Sequence, residues 1–353
     1  MPAVQPPSKV LVTGANGYIA VWLVKSLLEK GYAVRGTVRS ADKAKQVADI
    51  LTGYGEKLEL VVVEDITKEG AFDEVVQDVD AIEHTASPFH FNAEDPQELI
   101  GPAIQGTVGV LKSASQYGKS VKRIVVTSSC ASVLTPGLPE PKVFTESDWN
   151  EHAIKLVEEK GKDAPNSEKY RASKTLAEKA AWKFYEENKS SVKWDLVTLC
   201  PPFVFGPALH HVAAAESLNT SADAFYQSVV MPDYGGKSLD ALRAPMSSWV
   251  DVRDAALSHV LAIEKEAAGG ERLIVASGPF CWQDFIDTAN ALSPHPMPSK
   301  EGILPKGAPG QGKDTVHMVR YDTSKAQRIL GIAPKGMEET TRDTLADYES
   351  RGW

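Results

Sequence analysis

The stretch Val10-Leu11-Val12-Thr13-Gly14-Ala15-Asn16-Gly17-Tyr18-Ile19-Ala20 decides how this chain is read. A short apolar strand pattern runs into two glycines three residues apart, and an amphipathic helical pattern over 18–30 follows at once. Gly14 permits the tight turn, Gly17 lets the backbone approach a pyrophosphate, and Ala20 lets the helix pack close to the sheet. The unpaired N–H groups of the helix N-terminus then face the phosphates. Glycine turns join many strands to helices. Position at the first turn, ahead of an amphipathic helix, makes this one a dinucleotide site.

Working outward, apolar runs rich in β-branched residues recur at 33–38, 58–63, 81–83, 123–127 and 196–200. Helical patterns stand between them at 42–51, 72–77, 103–117 and 169–188. Strand alternating with helix predicts an α/β fold, a Rossmann-type doubly wound parallel sheet. Beyond residue 200, prolines and glycines become frequent, and 249–254 and 272–276 read as returns to the sheet. This divides the chain into a dinucleotide-binding domain (1–200 with 245–277) and a smaller lobe (201–244 with 278–353, mainly) that covers the carboxyl ends of the strands, where ligands of such sheets bind. The polar segment 145–167 reads as a surface excursion.

The bulk numbers exclude several classes. The 353 residues are 24% charged and 42% apolar with a formal net charge of -9, so no nucleic-acid footprint is expected. No apolar run reaches membrane-spanning length, and no signal-like stretch opens the chain, so a cytoplasmic protein without a membrane partner is expected. Cys130, Cys200 and Cys281 are far apart and odd in number, which suggests reduced thiols rather than disulfides or a zinc knuckle. The neighbours His210 and His211 diverge on any regular backbone, so no metal site is expected there.

Two further signals sharpen the chemistry. The second strand ends in Val38-Arg39-Ser40, with Lys43 and Lys45 close behind, where a site for NAD usually carries an acid. A guanidinium suits a 2′-phosphate, so NADPH/NADP+ is the expected cofactor. Tyr170 and Lys174 lie four apart in Tyr170-Arg171-Ala172-Ser173-Lys174 and share a helix face. A lysine cation beside the phenol would lower its pKa and let Tyr170 act as an acid. Thr127-Ser128-Ser129, at the end of the fifth strand, brings hydroxyls to the same crevice. The run His84-Thr85-Ala86-Ser87-Pro88-Phe89 ends the fourth strand, so Thr85 and Ala86 should lie along the cofactor and Phe89 point into the pocket. His84 reads as packed under the sheet end rather than as a base. Phe89, Phe91, Val133, Phe203 and Tyr226 are the candidate substrate-lining residues.

Taken together, these motifs resemble an extended short-chain dehydrogenase/reductase. The branch they resemble contains dihydroflavonol reductases, cinnamoyl-CoA reductases and fungal NADPH-dependent methylglyoxal reductases. Runs that carry the likeness include Ala177-Glu178-Lys179-Ala180-Ala181-Trp182, Val204-Phe205-Gly206-Pro207 and Val250-Asp251-Val252-Arg253-Asp254. The resemblance implies a catalytic triad of Ser129, Tyr170 and Lys174. It also implies that Gly14, Asn16, Gly17, Tyr18 and Ile19 hold the pyrophosphate region. Arg39 and Lys43 would take the 2′-phosphate, Asp65 and Ile66 flank the adenine, Val204 meet the nicotinamide side, and Ser221 reach a phosphate oxygen. In one departure, relatives often carry Asn where this chain has Gln105, a longer amide that would alter any water relay built on it. The expected activity is NADPH-dependent reduction of a small-molecule ketone or aldehyde, by a monomer or homodimer. The rivals are an epimerase or dehydratase acting on nucleotide sugars, and a non-catalytic NADP-binding sensor.

Overall fold

The computed structural model describes residues 3–87 and 93–353. Among them the strands are β1 (Lys9–Thr13), β2 (Ala33–Val38), β3 (Leu58–Val62), β4 (Ala81–His84), β5 (Arg123–Thr127), β6 (Lys142–Phe144), β7 (Asp195–Cys200), β8 (Phe203–Phe205), β9 (Trp249–Asp251), β10 (Arg272–Ile274) and β11 (Val319–Tyr321). The helices are α1 (Tyr18–Glu29), α2 (Ala41–Ile50), α3 (Gln97–Tyr117), α4 (Glu151–Lys160), α5 (Asn166–Asn188), α6 (Thr220–Phe225), α7 (Leu239–Arg243), α8 (Val252–Glu264), α9 (Trp282–Ala291), α10 (Ser324–Leu330) and α11 (Met337–Arg351). Seven strands form one sheet in the order β10-β7-β5-β4-β1-β2-β3, every pairing parallel. The order reverses beside β1, which opens a crevice at the carboxyl ends of β1 and β4.

Strand periodicity explains the layers. Val10 and Val12 of β1 pack with Leu23, Val24 and Leu27 of α1 and Val260 of α8. Leu11, one residue out of phase, packs on the other face with Val110 and Leu111 of α3 and Trp194. Each such aliphatic side chain contributes about 1.5–3 kcal/mol when buried. A separate aromatic cluster forms where Phe205, Phe225, Phe280, Trp282 and Phe285 meet largely edge to face.

Four expectations are corrected. Residues 72–77 form turns rather than a helix, although Phe72, Val75 and Val76 are buried against α3 as a helix would bury them. The helix expected at 103 begins at Gln97, ahead of Pro102, a residue that usually ends a helical pattern. The excursion at 145–167 holds α4, whose buried Ala153 and Val157 form only a short apolar stripe. The strand at 249–254 does not rejoin the main sheet: β9 pairs with β8 in a separate ribbon, whereas β10 does take the edge beside β7.

Two arginines are buried as ion pairs. Arg123 of β5 grips Asp195 of β7 through Nε and Nη2 at 2.6 and 2.8 Å. Arg272 of β10 grips Glu178 of α5 through Nε and Nη2 at 2.8 and 3.1 Å. Glu178 also accepts from Ser128, Ser132 and Thr198 at 2.6, 2.6 and 2.7 Å. Removing one partner of such a pair strands the other charge. Arg272→Met should therefore lower unfolding stability by about 3–5 kcal/mol, as read by urea denaturation. A loss under about 1 kcal/mol would show that the hydroxyls alone satisfy Glu178.

Candidate active site

The first turn is built as its sequence requires. Gly14 has φ +67°, and a Cβ there would stand 3.0 Å from the Cα of Ala86. The ends of β1 and β4 are stitched by Thr13, whose Oγ accepts the N–H groups of Thr85 and Ala86 at 3.2 and 3.1 Å. Its own hydrogen is left for Nδ1 of His84 at 3.0 Å. His84 is buried, and burial above all, with Lys174 adding to it, holds its pKa down to about 3, so the ring is neutral and packed. Gly17 precedes α1 without a side-chain cap, and the first turn of α1 carries no acid, so its N–H groups stay open to an anion. The Tyr18 side chain turns inward, its hydroxyl donating to the carbonyl of Gly206 at 2.6 Å.

At the far end of the crevice, Arg39 is exposed after β2 and has no ion pair among the described residues. Lys43 lies a turn into α2, its Nζ donating to Gln46 at 3.1 Å. Asp65, in the loop after β3, accepts from the hydroxyl and N–H of Thr67 at 2.6 and 2.9 Å, which lowers its pKa. Ile66 beside it packs where a Cβ on Gly106 would stand, 3.1 Å away.

Two cavities meet at the carboxyl ends of β4, β5 and β7. The first runs from Gly17 and Thr85 to Lys174 and Val204. The second, of about 230 Å3, is lined mainly by apolar groups and runs from Leu134 to Phe203. Ser129, Tyr170, Pro202 and Ser221 stand in the walls of both. Ser129 caps the short helical turn after β5, its Oγ accepting the N–H of Ala131 at 3.1 Å. It also hydrogen-bonds the phenol of Tyr170. Burial raises the pKa of Tyr170 and the bond from Ser129 opposes that rise in part. This corrects the expectation that Lys174 acidifies the phenol: its Nζ is 5.9 Å from the ring centroid and donates to Ser87 at 3.0 Å. Burial also holds Lys174 down to about 8.

The other substrate candidates separate. Phe203 lines the second cavity and stacks on Phe205 at 6.0 Å. Val133 does not line it: it is wholly buried with Phe144 and Ile274, and its neighbour Leu134 takes the wall. Tyr226 is likewise turned away, packing against Tyr348 and Trp353. Phe89 and Phe91 lie outside the described residues. Gln105 is exposed on α3 and touches neither cavity. Sequence reasoning missed Ser167, Arg171 and Ser247 in the second cavity. The spacing 167, 170, 171, 174 marks one helix face and could have found the first two. Ser247 arrives from a loop that carries no periodic signal.

A glycine turn, an open helix N-terminus and a Ser-Tyr-Lys cluster on a doubly wound sheet define a dinucleotide-dependent enzyme of the short-chain dehydrogenase/reductase class. Residues 10–276 match the NAD dependent epimerase/dehydratase family, and the chain belongs to that family of extended short-chain dehydrogenases/reductases. It is 37% identical to the ketoreductase azaE of Aspergillus niger over 96% of both chains. It is 36% identical to the NADPH-dependent methylglyoxal reductase GRE2 of Saccharomyces cerevisiae, over 96% of this chain and 97% of that one. The crystal structure of yeast methylglyoxal/isovaleraldehyde reductase Gre2 with NADPH superposes with a TM-score of 0.83 at 33% identity, covering 98% of this chain and 99% of that one. No helix among the described residues is long and apolar enough to cross a membrane.

A lysine pushed down to about 8 loses its charge in an accessible range. Since kcat/KM reports the free enzyme, it should fall as pH rises through about 8 if the Lys174 cation is required. Lys174→Arg, which stays charged, should move that alkaline limb upward by a unit or more. An unchanged limb in the variant would assign it to another group.

Proposed function

We propose that this chain reduces ketones and aldehydes to alcohols with NADPH, and that Ser129, Tyr170 and Lys174 carry the reaction. The observation behind the proposal is that Ser129 and Tyr170 stand in the wall shared by the two cavities, with Lys174 at the side of the glycine turn. The residues present fit the cofactor. The turn Gly14-Ala15-Asn16-Gly17 and the open start of α1, with Tyr18 and Ile19, receive the pyrophosphate. Arg39 and Lys43 take the 2′-phosphate, and Asp65 and Ile66 flank the adenine. Thr85, Ala86 and Val204 border the nicotinamide half, and Ser221 reaches a phosphate oxygen. NADPH, when bound, supplies the hydride.

The chain's own residues do the rest. The substrate carbonyl oxygen accepts hydrogen bonds from Ser129 and Tyr170, which stabilise the charge that develops on it. Tyr170 gives that oxygen its proton as the carbon is reduced. Lys174 holds the ribose with the N–H groups that Ser87 leaves free. Apolar walls exclude water and fix which face of the carbonyl is presented. The protein is taken to work in the cytoplasm as a monomer or homodimer, its three cysteines buried and unpaired. Light scattering of the purified chain reads the oligomeric state.

Two variants test the assignment against a panel of aryl ketones, small dicarbonyls and nucleotide sugars, with NADPH consumption as the readout. Tyr170→Phe should lower kcat by about 10²–10⁴-fold while NADPH still binds. Near-normal turnover of a simple ketone would remove Tyr170 as the proton donor. Arg39→Ala should weaken NADPH by about 1.5–3 kcal/mol and leave NADH nearly unchanged. Equal losses for both would make Arg39 a structural residue.

A further inference from the structure

The stripe of α5 that carries Tyr170 and Lys174 also carries Ser167, one turn toward the helix N-terminus, and Arg171 between them, the i, i+3, i+4, i+7 spacing of one helix face. The two cavities divide this stripe. Lys174 lines only the cavity of the glycine turn, Tyr170 lines both, and Ser167 and Arg171 line only the second. Arg171 therefore lines the cavity into which a carbonyl bound to Ser129 and Tyr170 would extend its substituent. Arg171 is held rather than wandering. Its Nη1 bonds Oε1 of Glu168, one turn back, and the Arg171 side chain is 26% exposed against 8% for Glu168. No other side-chain bond of Arg171 is made among the described residues, so Nε and Nη2 keep donors for a ligand.

Charge sets what those donors prefer. Glu168 neutralises Arg171 within the protein, and among the described residues Arg171 is the only cation lining this cavity. A full anion would gain less there than at a free arginine, whereas a neutral oxygen still gains a charge-assisted bond. The other side-chain hydrogen-bonding groups in the described wall are the hydroxyls of Ser129, Ser167, Tyr170, Thr220, Ser221 and Ser247, all neutral.

We propose that Arg171 is a specificity-determining residue that donates a hydrogen bond to a neutral oxygen acceptor carried near the reacting carbonyl. It selects substrates with that second oxygen over ketones that have only one. The proposal rests on the carbonyl-reductase reading given above, and its test separates the two. Ethyl 3-oxobutanoate and 2-hexanone, similar in length, are compared at saturating NADPH. For Arg171→Met, kcat/KM on the keto ester should fall on the order of 10–100-fold, chiefly through KM, while that on 2-hexanone changes less than about threefold. Arg171→Lys should recover part of the loss, since it keeps a charged donor without the planar fork. The KM for NADPH should stay near that of the unaltered chain, whereas Arg171→Met should lower the Tm, because the buried carboxylate of Glu168 loses its partner. Equal losses on both substrates, or no loss on either, would overturn the role of Arg171 and leave the reductase reading standing. An unaltered chain that oxidises NADPH with neither substrate would overturn both.

Discussion

The buried pair of Glu178 and Arg272 fixes where the proposed reacting groups stand. Glu178 lies four residues beyond Lys174 and eight beyond Tyr170, so it belongs to the same stripe of α5. Its carboxylate is clamped by Arg272 of β10, Thr198 of β7, and Ser128 and Ser132 on either side of Ser129. A helix tied at that point cannot slide along the sheet or rotate about its axis without stranding a buried charge. The hydroxyl of Ser129 and the phenol of Tyr170 are thereby held in register. The interaction is weak evidence for net stability, because desolvation offsets much of the Coulombic gain. Its consequence is positional. Burial would raise an isolated carboxyl, yet Arg272 and the hydroxyl donors hold the pKa of Glu178 down, so it remains a charged anchor.

The glycine turn imposes a second constraint from the opposite side of the crevice. Thr13 spends both of its acceptor sites on the backbone of Thr85 and Ala86, which draws the end of β4 over Gly14. A side chain at position 14 would crowd that backbone and hold a strained left-handed φ. The hydroxyl of Tyr18 and the indole of Trp22 then bind the carbonyls of Gly206 and Pro207 at 2.6 and 3.0 Å, which brings Val204 and the segment after β7 over the start of α1. The crevice is thus bordered by the open helix terminus, the end of β4, the α5 stripe and the lobe.

What the sequence disclosed follows from the range of each signal. The sheet was legible because its strands are short aliphatic runs, and Val10, Leu11 and Val12 point alternately into two packed faces. The turn and the Tyr170-Lys174 spacing were legible because each is a contiguous motif. Pairing was less so. The run at 249–254 has the composition of a sheet strand, yet whether β9 meets β7 or β8 depends on chain reversals that no local pattern records. Val133 and Tyr226 show the same limit. An apolar residue near the crevice packs either the core or the ligand, and only the third dimension separates Val133 from Leu134 one position on. The pKa of Tyr170 was misjudged because spacing on a helix reports which groups are neighbours, not how much water remains around them.

The rival reading, an epimerase or dehydratase of nucleotide sugars, is opposed by charge. A nucleotide diphosphate brings two phosphate charges beyond the reacting sugar, and each needs a cation or a cluster of N–H donors. The cavity beyond Tyr170 offers Arg171, already paired with Glu168, and serine and threonine hydroxyls against an apolar wall of Leu134 and Phe203. The open N–H groups of α1 lie on the other side of Ser129, bordering the first cavity. The site is therefore asymmetric. The open N–H groups lie on the side of the glycine turn, and under the proposed reading the opposite cavity takes a small neutral carbonyl compound, one face against Phe203 and its oxygen toward Ser129 and Tyr170.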